Sequence, residues 1–321
     1  MRKYILIALV ILLNKTAVLA AAQQQDSSFV ENDIVLQTSS GQIFGTLTIP
    51  QHVTHRIPVA LVIAGSGPTD RNGNSNLGLK TDAYKQLAHA LAASQIASLR
   101  FDKRGIAASD AAGKKESDLR FEDYINDAEG WIDLLKKDRR FSSVVTIGHS
   151  EGSLIGMIAA RKADKYISIA GLGQSADKIL KKQLAAQSAP LGDSAAPILD
   201  SLKAGKTVNR FNAALWLVFH PSIQPYLISW FKYDPQEEIK KLNTPVLILQ
   251  GTNDIQVPVE EAKILKAAQP KASLVLINDM NHALKKITGG MEQNQQSYRD
   301  PSLPIDGELV SSITSFINGK H

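Results

Sequence analysis

Val144-Val145-Thr146-Ile147-Gly148-His149-Ser150-Glu151-Gly152 reads as a buried strand that breaks at a tight turn and runs into a helix. Its last five residues fit the pattern G-x-S-x-G. Between a strand and a helix, that pattern holds a serine at a sharp, strained corner with its hydroxyl exposed. Gly148 and Gly152 lack the Cβ atoms that such a corner has no room for, since side chains there would collide with neighbouring backbone. The same corner points the amide N–H of Glu151 towards a reacting carbonyl. Ser150 is the candidate nucleophile.

Outward from this corner, strands and helices alternate. A β-hairpin comes first: Val35–Thr38 and Ile43–Ile49, with Ser39-Ser40-Gly41 as the turn. Pro58–Ala64 is a continuous apolar run, as expected of a strand covered on both faces in a parallel sheet. A helix over Ala83–Ser94 presents Leu87, Ala88, Leu91 and Ala92 on one face. The strand Ile96–Phe101 follows, then a helix over Phe121–Lys137 with the stripe Ile125, Ala128, Ile132 and Leu135. After the corner come a helix over Glu151–Arg161 and the strand Tyr166–Ala170. The alternation lapses between about Leu172 and Lys241. It resumes with the strand Val246–Gln250, a helix over Val259–Ala268, the strand Leu274–Ile277 and a last helix over Gly307–Ile317. The chain is therefore expected to be α/β, a mostly parallel sheet flanked by helices. The strandless stretch 172–241 is expected to be a helical cap over the C-terminal edge of the sheet, where ligands of open α/β sheets bind.

A serine hydroxyl is a weak nucleophile until a base takes its proton. Seven histidines are available, and position separates them. His52 and His55 precede the first buried strand, His89 falls within a helix, His220 lies in the cap and His321 ends the chain. His149 sits in the corner itself, where its ring supports the turn rather than reaching Ser150. His282 alone follows a late strand, in the loop Asn278-Asp279-Met280-Asn281-His282 at the active edge, and is the expected general base. Its orienting carboxylate is expected to be Asp254, at the end of Val246–Gln250 in Gly251-Thr252-Asn253-Asp254. Asp279 is the competitor, but from the same loop it would have to fold back on His282. The order Ser150, Asp254, His282 follows. A second oxyanion donor belongs in the loop that begins Ala64-Gly65-Ser66-Gly67-Pro68. The Ser66 amide is the first choice, with Gly67 next to it. Asp70 and Arg71 are expected to pair with Arg104 and Asp102 as scaffolding beneath the site.

Composition narrows the rest. The 321 residues are 44% apolar and 21% charged, ample for a large core. With no cysteine, disulfides, thiolate catalysis and cysteine-bound metals are excluded. The first twenty residues have the plan of a secretory signal: Arg2 and Lys3, an apolar run from Tyr4 to Leu13, and small residues around Ala17 and Ala20. The run is short for a membrane anchor, so cleavage after Ala20, or after Ala21 or Ala22, and a secreted or periplasmic mature protein over residues 21–321 are expected. Three of the 36 basic residues and none of the 31 acidic ones lie in that leader, leaving 33 against 31. A balance so close to neutral gives no electrostatic footprint for nucleic acid.

Four ordered segments carry a resemblance. They are Gly65-Ser66-Gly67-Pro68-Thr69-Asp70-Arg71-Asn72-Gly73-Asn74, Arg100-Phe101-Asp102-Lys103-Arg104-Gly105, the corner Gly148–Gly152, and Gly251-Thr252-Asn253-Asp254-Ile255-Gln256-Val257, with Asn281-His282 after the next strand. Through them, residues 58–290 resemble the α/β-hydrolase superfamily in its serine-aminopeptidase-like branch, and most of all bacterial secreted carboxylesterases. The resemblance implies hydrolysis of a small-molecule carboxylic ester through an acyl-enzyme, with neither metal nor organic cofactor. Two departures concern loop geometry: Ala64 where many relatives have histidine, and alanine in Gly105-Ile106-Ala107-Ala108-Ser109 where a second glycine is common. The same triad could serve an aminopeptidase, for which Asp193 or Asp200 would have to anchor an ammonium group, or an acyltransferase. A non-catalytic binding module is the alternative outside enzymes. The cap aromatics Phe211, Trp216, Phe219, Tyr226, Trp230 and Phe231 are expected mainly to pack helices, with an acyl pocket as their other use.

Overall fold

The structure is a computed structural model, and it describes residues 28–319. The expected leader and its cleavage sites lie outside the described residues, as does His321.

Strands β1 (Phe29–Thr38) and β2 (Gly41–Pro50) form the hairpin, in register from Phe29 opposite Pro50 to Thr38 opposite Gly41. The turn is Ser39-Ser40 alone. Gly41 is already paired, and a Cβ there would lie 2.9 Å from the Ala112 Cα. The remaining strands are β3 (Ile57–Ile63), β4 (Ala97–Phe101), β5 (Phe141–His149), β6 (Lys165–Ile169), β7 (Val246–Gly251) and β8 (Ser273–Ile277). All eight join one sheet in the order β1-β2-β4-β3-β5-β6-β7-β8, antiparallel at the hairpin edge and parallel from β4 onward.

The sheet is buried on both faces, which is why its central strands read as unbroken apolar runs. Successive residues of β3 split between two cores. Val59, Leu61 and Ile63 pack with α2 (Phe121–Lys137), α3 (Glu151–Ala159) and α9 (Val259–Ala268). Ala60 and Val62 pack with α1 (Ala83–Ala93) and α11 (Gly307–Ile317). The stripes expected on α1 and α2 are buried throughout, with Trp131 added to the second. At the head of α11 the Asp306 carboxylate caps the helix, accepting from the Glu308 and Leu309 amides.

Between β6 and β7 the chain holds α4 (Ala176–Gln187), α5 (Ala189–Lys203), α6 (Trp216–Phe219), α7 (Gln224–Trp230) and α8 (Pro235–Lys240), and no strand. The reading of 172–241 as a helical insertion agrees with this. Its aromatics mostly pack helices: Phe219 and Phe231 are fully buried, and Trp230 stacks on Phe121 at 5.8 Å. One helix went unread in the sequence, α10 (Met291–Ser297), whose Met-Glu-Gln-Asn-Gln-Gln-Ser has almost no apolar stripe. It is held instead by buried polar bonds, from the Asn281 amide to Asn294 at 3.1 Å and to Ser297 at 2.7 Å.

Candidate active site

Parallel strands deliver their C-terminal ends to one edge, and the residues singled out all follow such ends: Ser66 after β3, Ser150 after β5, Asp254 after β7, His282 after β8. Ser150 has φ 55° and ψ −122°, a conformation that costs a non-glycine residue about 1–3 kcal/mol. Its neighbours show why the corner needs glycine. A Cβ on Gly148 would fall 2.2 Å from the Gly152 carbonyl oxygen, and one on Gly152 would fall 2.4 Å from that of Ile63. The corner is bound to the sheet by the Ser150 N–H, which donates to the Ile169 carbonyl at 2.9 Å.

His282 Nδ1 and Asp254 Oδ2 are 2.8 Å apart, with both side chains almost wholly buried. The other Asp254 oxygen accepts from the Gln256 and Val257 amides at 2.8 and 2.9 Å. Burial pushes the Asp254 carboxyl upward, but the adjacent His282 and these amides prevail and hold it below the usual carboxylate range. Gly251 makes this meeting possible, because a Cβ there would overlap the Met280 carbonyl oxygen at 2.0 Å in the loop that carries His282. Asp279 is not His282's partner; its backbone takes a left-handed φ of 61° and its N–H donates to Thr252.

Ser150 and His282 face the same cavity of about 110 Å³, whose walls also include Ser66, Leu79, Tyr84, Gln256, Leu284 and Tyr298. A second cavity of about 250 Å³ meets it at Ser66, Ser150 and Gln256. Leu172, Ile179, Leu180, Gln183 and Trp230 of the cap line it, with Glu151 beside them. The amides of Ser66 and Glu151 have no hydrogen-bond partner among the described residues. Gly67 faces neither cavity. Among the described residues, no group of three or more His, Asp or Glu side chains is arranged to hold a metal ion.

The scaffolding differs in part from expectation. Arg71 does pair with Asp102, at 2.7 Å. Asp70 does not meet Arg104; it closes its own turn by accepting from the Asn72 and Asn74 amides, while Arg104 pairs with buried Asp127. Ala107 has φ 47°, the glycine-favouring conformation at the place where the resemblance expects glycine.

Several residues around the site were not assigned a part from sequence. Lys103 and Glu151 form a buried ion pair at 3.7 Å, and Tyr226 of the cap donates to the Glu151 carboxylate at 2.5 Å. Burial lowers the Lys103 ammonium below its ordinary value against the opposing pull of Glu151. The signal available was the charged triplet Asp102-Lys103-Arg104 directly after a wholly buried strand.

His149 turns from Ser150, as expected, and packs on His282 with ring centroids 4.6 Å apart. Its Nδ1 lies 2.8 Å from the Tyr84 hydroxyl. Burial, then the neighbouring His282, push it down to about 3. The unfolded chain would protonate this ring near pH 6.5, so the folded state loses relative stability as pH falls from there towards 3. Between pH 7 and pH 5 the loss is expected to be about 2 kcal/mol. Urea melts should show this loss in the wild type and a correspondingly flatter profile in His149→Asn; equal profiles would contradict the assignment.

The comparisons with known proteins agree with this architecture. A family model described as serine aminopeptidase, S33, matches residues 77–212, a span that includes the Ser150 corner but neither Asp254 nor His282. Among solved structures, Est1E from Butyrivibrio proteoclasticus superposes with a TM-score of 0.58 at 16% identity, covering 90% of this chain and 98% of its own. An esterase from Thermogutta terrifontis gives 0.54 at 16% identity, covering 91% and 99%. The acylaminoacyl peptidase of Pyrococcus horikoshii gives 0.58 at 13% identity, covering 91% of this chain and 42% of its own. No curated protein matches the sequence.

Proposed function

We propose that the chain is a serine hydrolase of the α/β-hydrolase type acting on carboxylic esters of small molecules, with Ser150 as nucleophile; the similarity of residues 77–212 to the serine aminopeptidase model and the shared fold support this. His282 takes the Ser150 proton as the hydroxyl attacks the acyl carbon, and then hands it to the departing alcohol. Asp254 fixes the imidazole tautomer and stabilises the imidazolium. The unpaired Ser66 and Glu151 amides receive the oxyanion. Water attacks the acyl-enzyme with His282 again as base. The observation that carries this reading is the juxtaposition where the two cavities meet: a strained serine, a histidine bonded to a buried carboxylate, and two amides with no partner among the described residues. The Ser150 hydroxyl has no protein partner among the described residues, as suits a contact that tightens only with substrate bound.

The two cavities give the substrate a direction. The leaving alcohol must lie on the side of the group that protonates it, and His282 lines the first cavity and not the second. The acyl chain therefore enters the second, against Leu172, Ile179 and Leu180 of the cap. At about 250 Å³ that space falls below the roughly 300–1,000 Å³ of sites for drug-sized ligands, which points to short acyl groups. An aminopeptidase needs a carboxylate facing the substrate ammonium. Neither Asp193 nor Asp200 lines either cavity, and the one acidic side chain there, Glu151, is already engaged by Lys103 and Tyr226. Ester hydrolysis is favoured on that ground. We propose, from the sequence of residues 1–20 alone, that they act as a secretory leader and that the mature enzyme is secreted or periplasmic.

Initial rates over p-nitrophenyl esters of increasing acyl length, beside aminoacyl p-nitroanilides, test the reading. The expected result is efficient turnover of short-chain esters, falling as the chain outgrows the cavity. Faster cleavage of the anilides would overturn the ester assignment.

A further inference from the structure

Lys103 lies directly behind the oxyanion site. It is 2% exposed, and its Nζ donates to the Gly65 carbonyl at 2.6 Å. The peptide between Gly65 and Ser66 is planar and trans, so its C=O and N–H point in opposite directions. Pinning the Gly65 oxygen to an ammonium on one side thus aims the Ser66 N–H at the other, where it has no protein partner among the described residues. The Gly65 N–H is held as well, donating to the Tyr84 hydroxyl at 3.2 Å.

The counter-ion closes the argument. Lys103 faces the Glu151 carboxylate at 3.7 Å, and Glu151 is the residue whose own backbone N–H is the second donor. Its side chain is 4% exposed and is steadied by Tyr226 of α7, while the Lys103 ammonium also sits 5.3 Å from the centre of the Tyr124 ring. Apolar residues of similar volume would fill this space without desolvating two charges. Packing alone does not call for an ion pair here.

We propose that Lys103 is a positioning residue for the oxyanion hole, and that the buried Lys103–Glu151 pair, steadied from the cap by Tyr226, aligns the Ser66 and Glu151 amides with one another. The proposal rests on the reading of those amides as oxyanion donors. Losing one well-aimed donor costs about 10²–10³-fold in rate. The interaction is made with charge that develops only in the transition state, so its loss falls on kcat rather than KM.

The test uses the full chain with Lys103→Met, and a double variant, Lys103→Met with Glu151→Gln, that leaves no buried carboxylate unpaired. The wild type must first hydrolyse p-nitrophenyl butyrate; a wild type inert to all acyl substrates would defeat the hydrolase reading itself, not this refinement. With an active wild type, the expected result is a fall in kcat of about 100-fold with KM held within about threefold. Affinity for a trifluoromethyl ketone, whose adduct carries an oxyanion, should fall in parallel. A folded double variant with kcat within about threefold of wild type overturns the proposal, as does a loss confined to KM. If both variants unfold, the decision passes to Tyr226→Phe, which removes only the hydroxyl that steadies Glu151. There kcat should fall about tenfold at constant KM, and an unchanged kcat overturns the proposal.

Discussion

Ser150→Ala is expected to lower kcat on p-nitrophenyl esters by about 10⁴–10⁶-fold, because the bond-forming atom is gone and only the oxyanion amides and binding remain. The fold should not notice. Alanine keeps the Cβ at φ 55°, so the strain of the corner is neither relieved nor increased, and the lost hydroxyl has no protein partner among the described residues. A thermal midpoint within about 2 °C of wild type is the expected companion result. Residual turnover within about tenfold of wild type would mean that another group carries the chemistry.

Asp254→Asn should be nearly as damaging, for a reason visible in the hydrogen bonds. One carboxylate oxygen accepts from the Gln256 and Val257 amides, so the asparagine carbonyl must take that place. Its NH2 is then forced into the other position, facing His282 Nδ1 and the Gln250 side chain that also donates there, at 3.2 Å. Two donors cannot share that contact. His282 can relieve it only by accepting at Nδ1, which moves its own proton to Nε2, the nitrogen that must take the proton from Ser150. A loss of about 10⁴-fold in kcat at neutral pH is expected. The wild-type carboxylate, held below its usual range, stays ionised through mildly acidic pH, so this limb of activity should not titrate there. A variant within about tenfold of wild type at pH 7 would remove Asp254 from the proposed triad.

How much of this could be read from residues alone depended on whether the cause was local. The parallel sheet was legible because burial on both faces writes itself as apolar runs such as Val59–Ile63, and α2 because its stripe repeats at helical spacing over 17 residues. The Ser150 corner was legible because only glycine fits on either side of it. The meeting of His282 with Asp254 followed from strand order, since both loops leave the same edge of the sheet. Features built from distant polar contacts left no such trace. Asn281, Asn294 and Ser297 hold α10 through buried side chains, and nothing in their spacing announces it. The Lys103–Glu151–Tyr226 chain joins three elements across more than a hundred residues of sequence. Arg104 was expected to pair with Asp70 beneath the site, but helix α2 brings it Asp127 instead.

The central claim is that Ser150 is the nucleophile, and covalent labelling tests it most directly. A fluorophosphonate phosphonylates a serine only where a base and an oxyanion site activate it. The account predicts one adduct per chain by intact mass, mapped to the peptide containing Ser150 and absent from Ser150→Ala. No adduct, or an adduct on any other residue, would contradict it.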